Sequence, residues 1–238
     1  MSKTVIGILA GMGPRSTSPF LDAVLDNCAR IYGARWDGDF PDIALYSLPT
    51  PYHPNRELER GPMVAALTRG AKALVRAGAD FMAMPCNTAH MFYDDVVGAA
   101  RIPILHIVAC TLPHLIYDKD SKIAVLATQA TRNSGMYHDA IAQKGGALIE
   151  PPGLQGKIEN LLNTFDVRGA DNVSVDLWYA IRDIVVHAGA KQVVLGCTDL
   201  AFCSDHIGDT GLVVHDSSAV LATETVKEFC RREGISQQ

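Results

Sequence analysis

The feature that most limits what this chain can fold into is the alternation of short runs of Ile, Val and Leu with longer stretches of helical period. The runs TVIGILA, DIALYSL, DFMAMP, PILHI, KIAVLA, GALIEP, QVVLGC and GLVVHD read as strands. Between them, Phe20, Leu21, Val24, Leu25, Cys28 and Ile31 follow a helical stripe, and Leu177, Trp178, Ile181, Ile184 and Val185 do the same. Strands of this kind separated by helices predict parallel sheets joined by crossover helices, an α/β fold.

Two elements recur in order. A strand ends in a small-residue turn (ILAGMGP, then VLATQAT), and later a strand ends in a cysteine turn (AMPCNTAH, then VLGCTDLA). The interval from Ile8 to Cys86 nearly matches that from Val125 to Cys197. This predicts two pseudo-symmetric lobes, each a mostly parallel sheet flanked by helices. The first would comprise residues 1–98 with 214–238 and the second residues 99–213, the last helix (Ser218 to Arg232) returning to the first lobe. Ligands of open parallel sheets bind beyond the carboxyl ends of the strands. Two lobes facing one another would then put Cys86 and Cys197 across one cleft.

Composition narrows the function. With 238 residues the chain can bury a substantial core, and a net charge of -5 without a Lys/Arg cluster argues against a nucleic-acid partner. No apolar run reaches the roughly 20 residues of a membrane helix, and the short apolar run in MSKTVIGILAGMGP is a strand rather than a signal peptide, so the expected location is the cytoplasm. Cys28, Cys86, Cys110, Cys197, Cys203 and Cys230 show no CxxC pair, which predicts reduced thiols rather than disulfides or zinc ligands. Cys28, Cys110, Cys203 and Cys230 lie within or beside apolar patterns and read as core residues.

Two opposed thiols suit one chemistry in particular. With a carbon acid between them, a thiolate on one face removes the alpha proton while a thiol on the other delivers one, and the configuration inverts. No metal or pyridoxal phosphate is required in principle. A free thiol has a pKa near about 8.5, so activation is needed. Asn87 and Thr88, and likewise Thr198 and Asp199, are N-cap residue types directly after each cysteine, which would set each sulfur at a helix N-terminus whose N–H groups also suit a substrate carboxylate. GMGPRST lacks both the GxGxxG fingerprint and the Walker lysine, so Met12 and Gly13 are candidates for backbone approach to a small ligand rather than to a nucleotide, with Pro14 opening the helix. Thr128 and Thr131 occupy the equivalent turn of the second lobe and are candidates for holding a carboxylate or for capping the turn. His90 would lie one helical turn beyond Cys86, either tuning the thiol or satisfied at a helix face.

The combination of GMGP after the first strand, PCNTAH near one third of the chain and GCT near the end resembles the aspartate/glutamate racemase family of cofactor-independent amino-acid racemases. The resemblance implies two α/β lobes, Cys86 and Cys197 as the acid/base pair, and an arginine in the loop after the second strand that pairs with a distal carboxylate. In PTPYHPNRELERG that arginine is Arg56, with Arg60 in reserve. Two departures concern substrate choice. The second motif reads GCTD, with Asp199 where aspartate racemases of the family carry Glu and glutamate racemases His; a lysine common in the family is matched by Arg168 in DVRG. The expected activity is racemisation of an acidic amino acid, aspartate or glutamate, by a homodimer. The alternatives are another carbanion enzyme of similar fold (maleate isomerase, hydantoin racemase or arylmalonate decarboxylase) and a non-catalytic carboxylate-binding protein.

Overall fold

The computed structural model describes residues 4–53 and 56–237. It divides into two compact units, one running to Cys110 and resuming at Ser218, the other spanning Thr111–Ser217.

In the first unit, β1 (Val5–Ala10), α1 (Thr17–Tyr32), β2 (Asp42–Ser47), α2 (Arg60–Arg76), β3 (Phe81–Ala83), α3 (Tyr93–Ala100), β4 (Ile104–Leu105) and α4 (Ile107–Thr111) follow in order, the division between units falling at the end of α4. The sheet is parallel throughout, in the order β2-β1-β3-β4. The stripe expected on α1 is present, with Phe20, Val24, Cys28 and Ile31 buried. On α2, Met63, Leu67, Ala71 and Leu74 join Leu9, Leu48 and Met82 in one core cluster. Each of these side chains contributes about 1.5–3 kcal/mol by leaving water, apart from the smaller alanine.

The second unit contains β5 (Ile123–Leu126), α5 (Gln129–Asn133), α6 (His138–Gln143), α7 (Leu154–Arg168), α8 (Asn172–His187), β6 (Gln192–Leu195) and β7 (Val213–Asp216), with parallel strands in the order β5-β6-β7. Trp178, Ile181 and Val185 of α8 pack with Ile158 and Leu161 of α7 over Val193 and Leu195. The Trp178 ring is fully buried, and its indole N–H donates to the His206 carbonyl at 3.0 Å, so the largest side chain of this core leaves no donor unpaired. At the other end of the strands the buried Gln192 side chain accepts from Ile116 N–H (2.9 Å) and donates to the Ile116 carbonyl (2.9 Å) and to Ser121 Oγ (2.8 Å). The chain then continues as α9 (Ser217–Glu233) into the first unit, where Phe229 meets Tyr32, Thr223 donates to Asn27 Oδ1 at 3.1 Å, and Glu233 accepts from Thr4 N–H at 2.8 Å.

Several sequence expectations shift. The segment 99–110, assigned above to the second lobe, lies in the first unit because β4 pairs with β3. Residues 214–217, assigned to the first lobe, belong to the second, where β7 pairs with β6. GALIEP is not a strand: it makes a single parallel bridge, Ile123 to Leu148, between Gly145 and Gly146 on one side and Pro151 and Pro152 on the other, which limit extended pairing. That bridge still matters. In the first sheet the chain leaves β1 for β2 on one side and returns to β3 on the other; in the second it leaves β5 for Leu148 on one side and returns to β6 on the other. Each unit therefore has a topological switch point, between β1 and β3 and between β5 and β6, where open α/β sheets place their ligands.

Candidate active site

Met12, Gly13, Cys86, Asn87 and Thr88 follow the strands at the first of those switch points, and Thr128, Thr131, Cys197, Thr198 and Asp199 those at the second, each set within its own unit. At the end of β1, Gly11 takes the left-handed conformation (φ +91°), and a Cβ there would lie 2.4 Å from Leu48 N, so only glycine fits. Leu48 N–H donates to the Ala10 carbonyl (2.8 Å) and Gly11 N–H to Thr17 Oγ1 (3.1 Å), which folds the turn back onto β2 and α1. Met12 is buried, the Met12–Gly13 peptide is cis, and Pro14 occupies the start of a 3-10 turn that leads into α1.

The adjacent strand β3 ends one turn before Cys86. Cys86 N–H donates to the Met84 carbonyl at 2.8 Å, a tight reversal around Pro85, and the partly buried thiol packs against the cluster that includes Met12 and Met84. A 3-10 helix, Thr88–Phe92, follows, with Asn87 in the cap position. Asn87 was expected to cap through its side chain, but its backbone is already helical (φ -61°, ψ -46°), and a side chain caps from an extended backbone, so no side-chain cap bond forms. Asn87 and Thr88 are both buried.

His90 is the best-defined group near this cysteine. Ile107 N–H donates to Nε2 at 3.1 Å, which leaves the ring proton on Nδ1, and Nδ1–H donates to the Cys86 carbonyl at 2.8 Å. The Leu105 carbonyl, 3.4 Å from Nε2, then faces another acceptor and is not a hydrogen bond. Burial pushes the imidazole down to about 4, so it is neutral near physiological pH. Tyr93 stacks on the ring (5.8 Å, 12°), and His106 approaches it edge-on at 4.8 Å. The outer side of this aromatic group lines an open pocket of about 620 Å³ shared with Arg60, Asp94 and Asp95.

In the second unit, Thr128 is the N-cap of α5: its Oγ1 accepts from Thr131 N–H at 3.1 Å and donates to Thr131 Oγ1 at 3.0 Å. Thr131 is 1% exposed, so its hydroxyl is turned into the protein. Two residues not singled out in the sequence brace the same turn. Gln129 N–H donates to Glu159 Oε1 at 2.6 Å, and Gln155 Nε2 donates both to Glu159 Oε1 (2.9 Å) and to the Ala127 carbonyl (3.0 Å). Their spacing of one helical turn on α7 was the available signal.

Beside it, Gly196 N–H donates to the Leu126 carbonyl at 2.7 Å, and a Cβ at Gly196 would come within 3.1 Å of Ala127 Cβ, which explains the glycine of GCT by close strand approach. Cys197, partly buried, is itself the N-cap of a 3-10 helix, Thr198–His206. Thr198 and Asp199 are thus the first helical residues rather than caps, because the backbone at Cys197 is extended (φ -140°) and turns helical one residue later. Cys197 Sγ lies 4.0 Å from Asp199 Oδ2, positioned to donate its proton.

The arginines differ in engagement. Arg60 donates from Nη2 to both oxygens of Asp95 (2.9 and 3.0 Å) and lies over the Phe92 ring. Arg56 is exposed, and among the described residues its guanidinium has no ion-pair partner. Arg168 is also exposed, 3.6 Å from Asp171. Among the described residues no cluster of three or more His, Cys, Asp or Glu could hold a metal ion, and no helix is long and apolar enough to cross a membrane.

The Asp/Glu/hydantoin racemase family profile matches residues 9–225. The broad-specificity amino-acid racemase RacX of Bacillus subtilis is 37% identical over 94% of this chain and 98% of its own length. Glutamate racemase of Deinococcus radiodurans is 29% identical over 82% of this chain and 60% of its own. Among solved structures, Picrophilus torridus aspartate racemase superposes with a TM-score of 0.76 at 24% identity, covering 95% of this chain and 94% of that one. A Francisella tularensis glutamate racemase in complex with D-glutamate gives 0.70 at 17% identity, covering 98% and 83%. At those identities the structural matches speak for the fold, two parallel α/β units, and the profile and the RacX match speak for the family. The chain belongs to the Asp/Glu/hydantoin racemase family and is an amino-acid racemase of that family.

Proposed function

We propose that the chain interconverts the L and D forms of an acidic amino acid, aspartate first and glutamate second, by proton transfer between Cys86 and Cys197 without a cofactor. The observation that carries this reading is the repeated placement of a partly buried thiol at the switch point of each sheet, directly before a helical turn. With the substrate's alpha carbon between the two sulfurs, each cysteine is base toward one enantiomer and acid toward the other. The N–H groups that open the two 3-10 helices and the GMGP turn, with Asn87, Thr88 and Thr198, are assigned to the alpha carboxylate. Arg56, whose guanidinium is not engaged by a described carboxylate, is assigned to the distal carboxylate, for which a planar fork is suited. Thr128 and Thr131 serve this site by shaping its turn. The protein is read as a cytoplasmic homodimer, a state that light scattering on a sizing column measures.

A broader substrate range is the second reading. It is favoured by the RacX match and by Asp199, a shorter residue than the Glu of GCTE aspartate racemases. Proton NMR in heavy water decides between them. Each enantiomer of aspartate, glutamate and a panel of neutral and basic amino acids is incubated with reduced protein, with chiral analysis alongside. Loss of the alpha signal confined to acidic substrates supports the first reading, and exchange across the panel supports the second. An alpha signal that persists for every amino acid rejects both.

A further inference from the structure

We propose that His90 is a positioning residue for Cys86, fastening the turn that carries the thiol to the corner between β4 and α4. The proposal rests on the reading that Cys86 exchanges a proton with substrate. The turn needs such a fastening because the β3–β4 ladder ends at the pair Ala83 and Leu105. Beyond that pair, His90 continues the connection through a side chain. Its Nδ1–H holds the Cys86 carbonyl (2.8 Å) while its Nε2 takes the Ile107 N–H (3.1 Å), so one rigid ring spans the two chain segments that the sheet no longer joins.

The ring is itself held on both sides. Tyr93 stacks on it and donates from its hydroxyl to the Ile104 carbonyl of β4 at 2.7 Å; His106, from the β4–α4 corner, packs edge-on. The titratable and charged groups around this assembly include Tyr93 and Asp94 of α3, His106, Cys110 of α4 beside Tyr93, and Arg60 of α2 in its pair with Asp95. His90 is 4% exposed, and both nitrogens are used by main-chain groups, so the imidazole is a fixture and not a proton donor to substrate.

The test uses the full chain carrying His90→Leu, His90→Asn or His90→Gln. Asparagine keeps a donor where Nδ1 stood, and glutamine keeps an amide near Nε2. Alkylation of Cys86 by iodoacetamide is followed across pH by mass spectrometry, with Cys197 in the same molecule as internal standard, and racemisation kcat and KM are measured in parallel. Thermal melts establish that each variant is folded, and His90→Gln replaces His90→Leu if the latter does not fold.

The expected result for His90→Leu is a severalfold change in the Cys86 to Cys197 alkylation ratio and a fall in kcat on the order of 10²-fold, the effect of a misplaced catalytic group. KM should change by less than about threefold, since the bond lost is to the reacting residue rather than to substrate. His90→Asn should restore most of both. A folded His90→Leu protein with unchanged Cys86 reactivity and kcat overturns the proposal, as does an equal loss in the Asn and Leu variants. Alkylation needs no substrate, so the two readings fail separately. Cys86 reactivity that depends on His90 in a protein that racemises nothing rejects the racemase reading and leaves the positioning role standing.

Discussion

The turn after β3 presents Cys86 one residue ahead of its helical cap position and ties its carbonyl to a neutral imidazole, whereas the turn after β6 makes Cys197 the cap residue and places a carboxylate 4.0 Å from its sulfur. The sequence outlines are alike, strand, cysteine and short polar helix, yet the wiring differs. In the first unit the backbone of the cysteine is fixed by a ring bridging to the next strand. In the second the main-chain close approach of Gly196 to β5 fixes the backbone, and the local polar group addresses the sulfur directly. A repeated strand-and-turn arrangement can thus keep two thiols at equivalent places in their sheets while their local partners differ.

Substituting either cysteine is the strongest way to break this comparison. Cys86→Ala and Cys197→Ala should each lower racemisation by about 10²–10⁴-fold, the range for a lost general acid or base, as read by chiral chromatography. One variant retaining full activity would remove the partnership. The next effect is on stability against pH. His90 is held at about 4 in the folded chain against about 6.5 when unfolded. The unfolded chain therefore binds the proton first, and stability is present above pH of about 6.5 and lost as pH falls toward 4. The loss assigned to this group reaches about 3 kcal/mol. His106 and His215, also lowered mainly by burial, add to it in the same direction. The difference between the wild-type and His90→Asn melting curves from pH 7 to 4 isolates the His90 share, and parallel curves would refute it.

Glycine substitutions separate the turns by stability alone. Gly11→Ala combines a left-handed φ with a 2.4 Å approach to backbone and should cost about 1–3 kcal/mol or more; Gly196→Ala meets Ala127 Cβ at 3.1 Å and should cost less. Urea titrations rank the two, and the reverse order would contradict the contact geometry. The smallest effect is expected from Asp199→Asn, which removes the carboxylate acceptor for the Cys197 proton. Alkylation of Cys197 should quicken severalfold while Cys86 stays as it was. Equal quickening at both sulfurs would mean that Asp199 acts beyond its neighbour.

The strands and the long helices were legible because their cause is local: apolar runs bounded by glycine and proline, and stripes such as Phe20, Val24, Cys28 and Ile31. The repeated cysteine turns were legible for the same reason. What escaped is pairing between distant segments. A two-residue strand such as β4 carries almost no pattern of its own, and it is assigned to a sheet only by meeting β3, which moved the expected unit boundary. His106 and Tyr93 likewise have no neighbouring residues that announce their partners, since their contacts reach across strands and helices. The capping expectation failed at Asn87 through a backbone angle, which residue type alone does not set.

The return of α9 to the first unit carries a consequence for synthesis. Thr111–Ser217 is one uninterrupted stretch, so that unit has all its strands and helices once Ser217 has left the ribosome. The unit that begins the chain must wait, because Leu221, Val226 and Phe229, all fully buried in it, are translated afterwards. The half made first is therefore finished last, since Tyr32 of α1 meets its ring partner Phe229 only once α9 has been made.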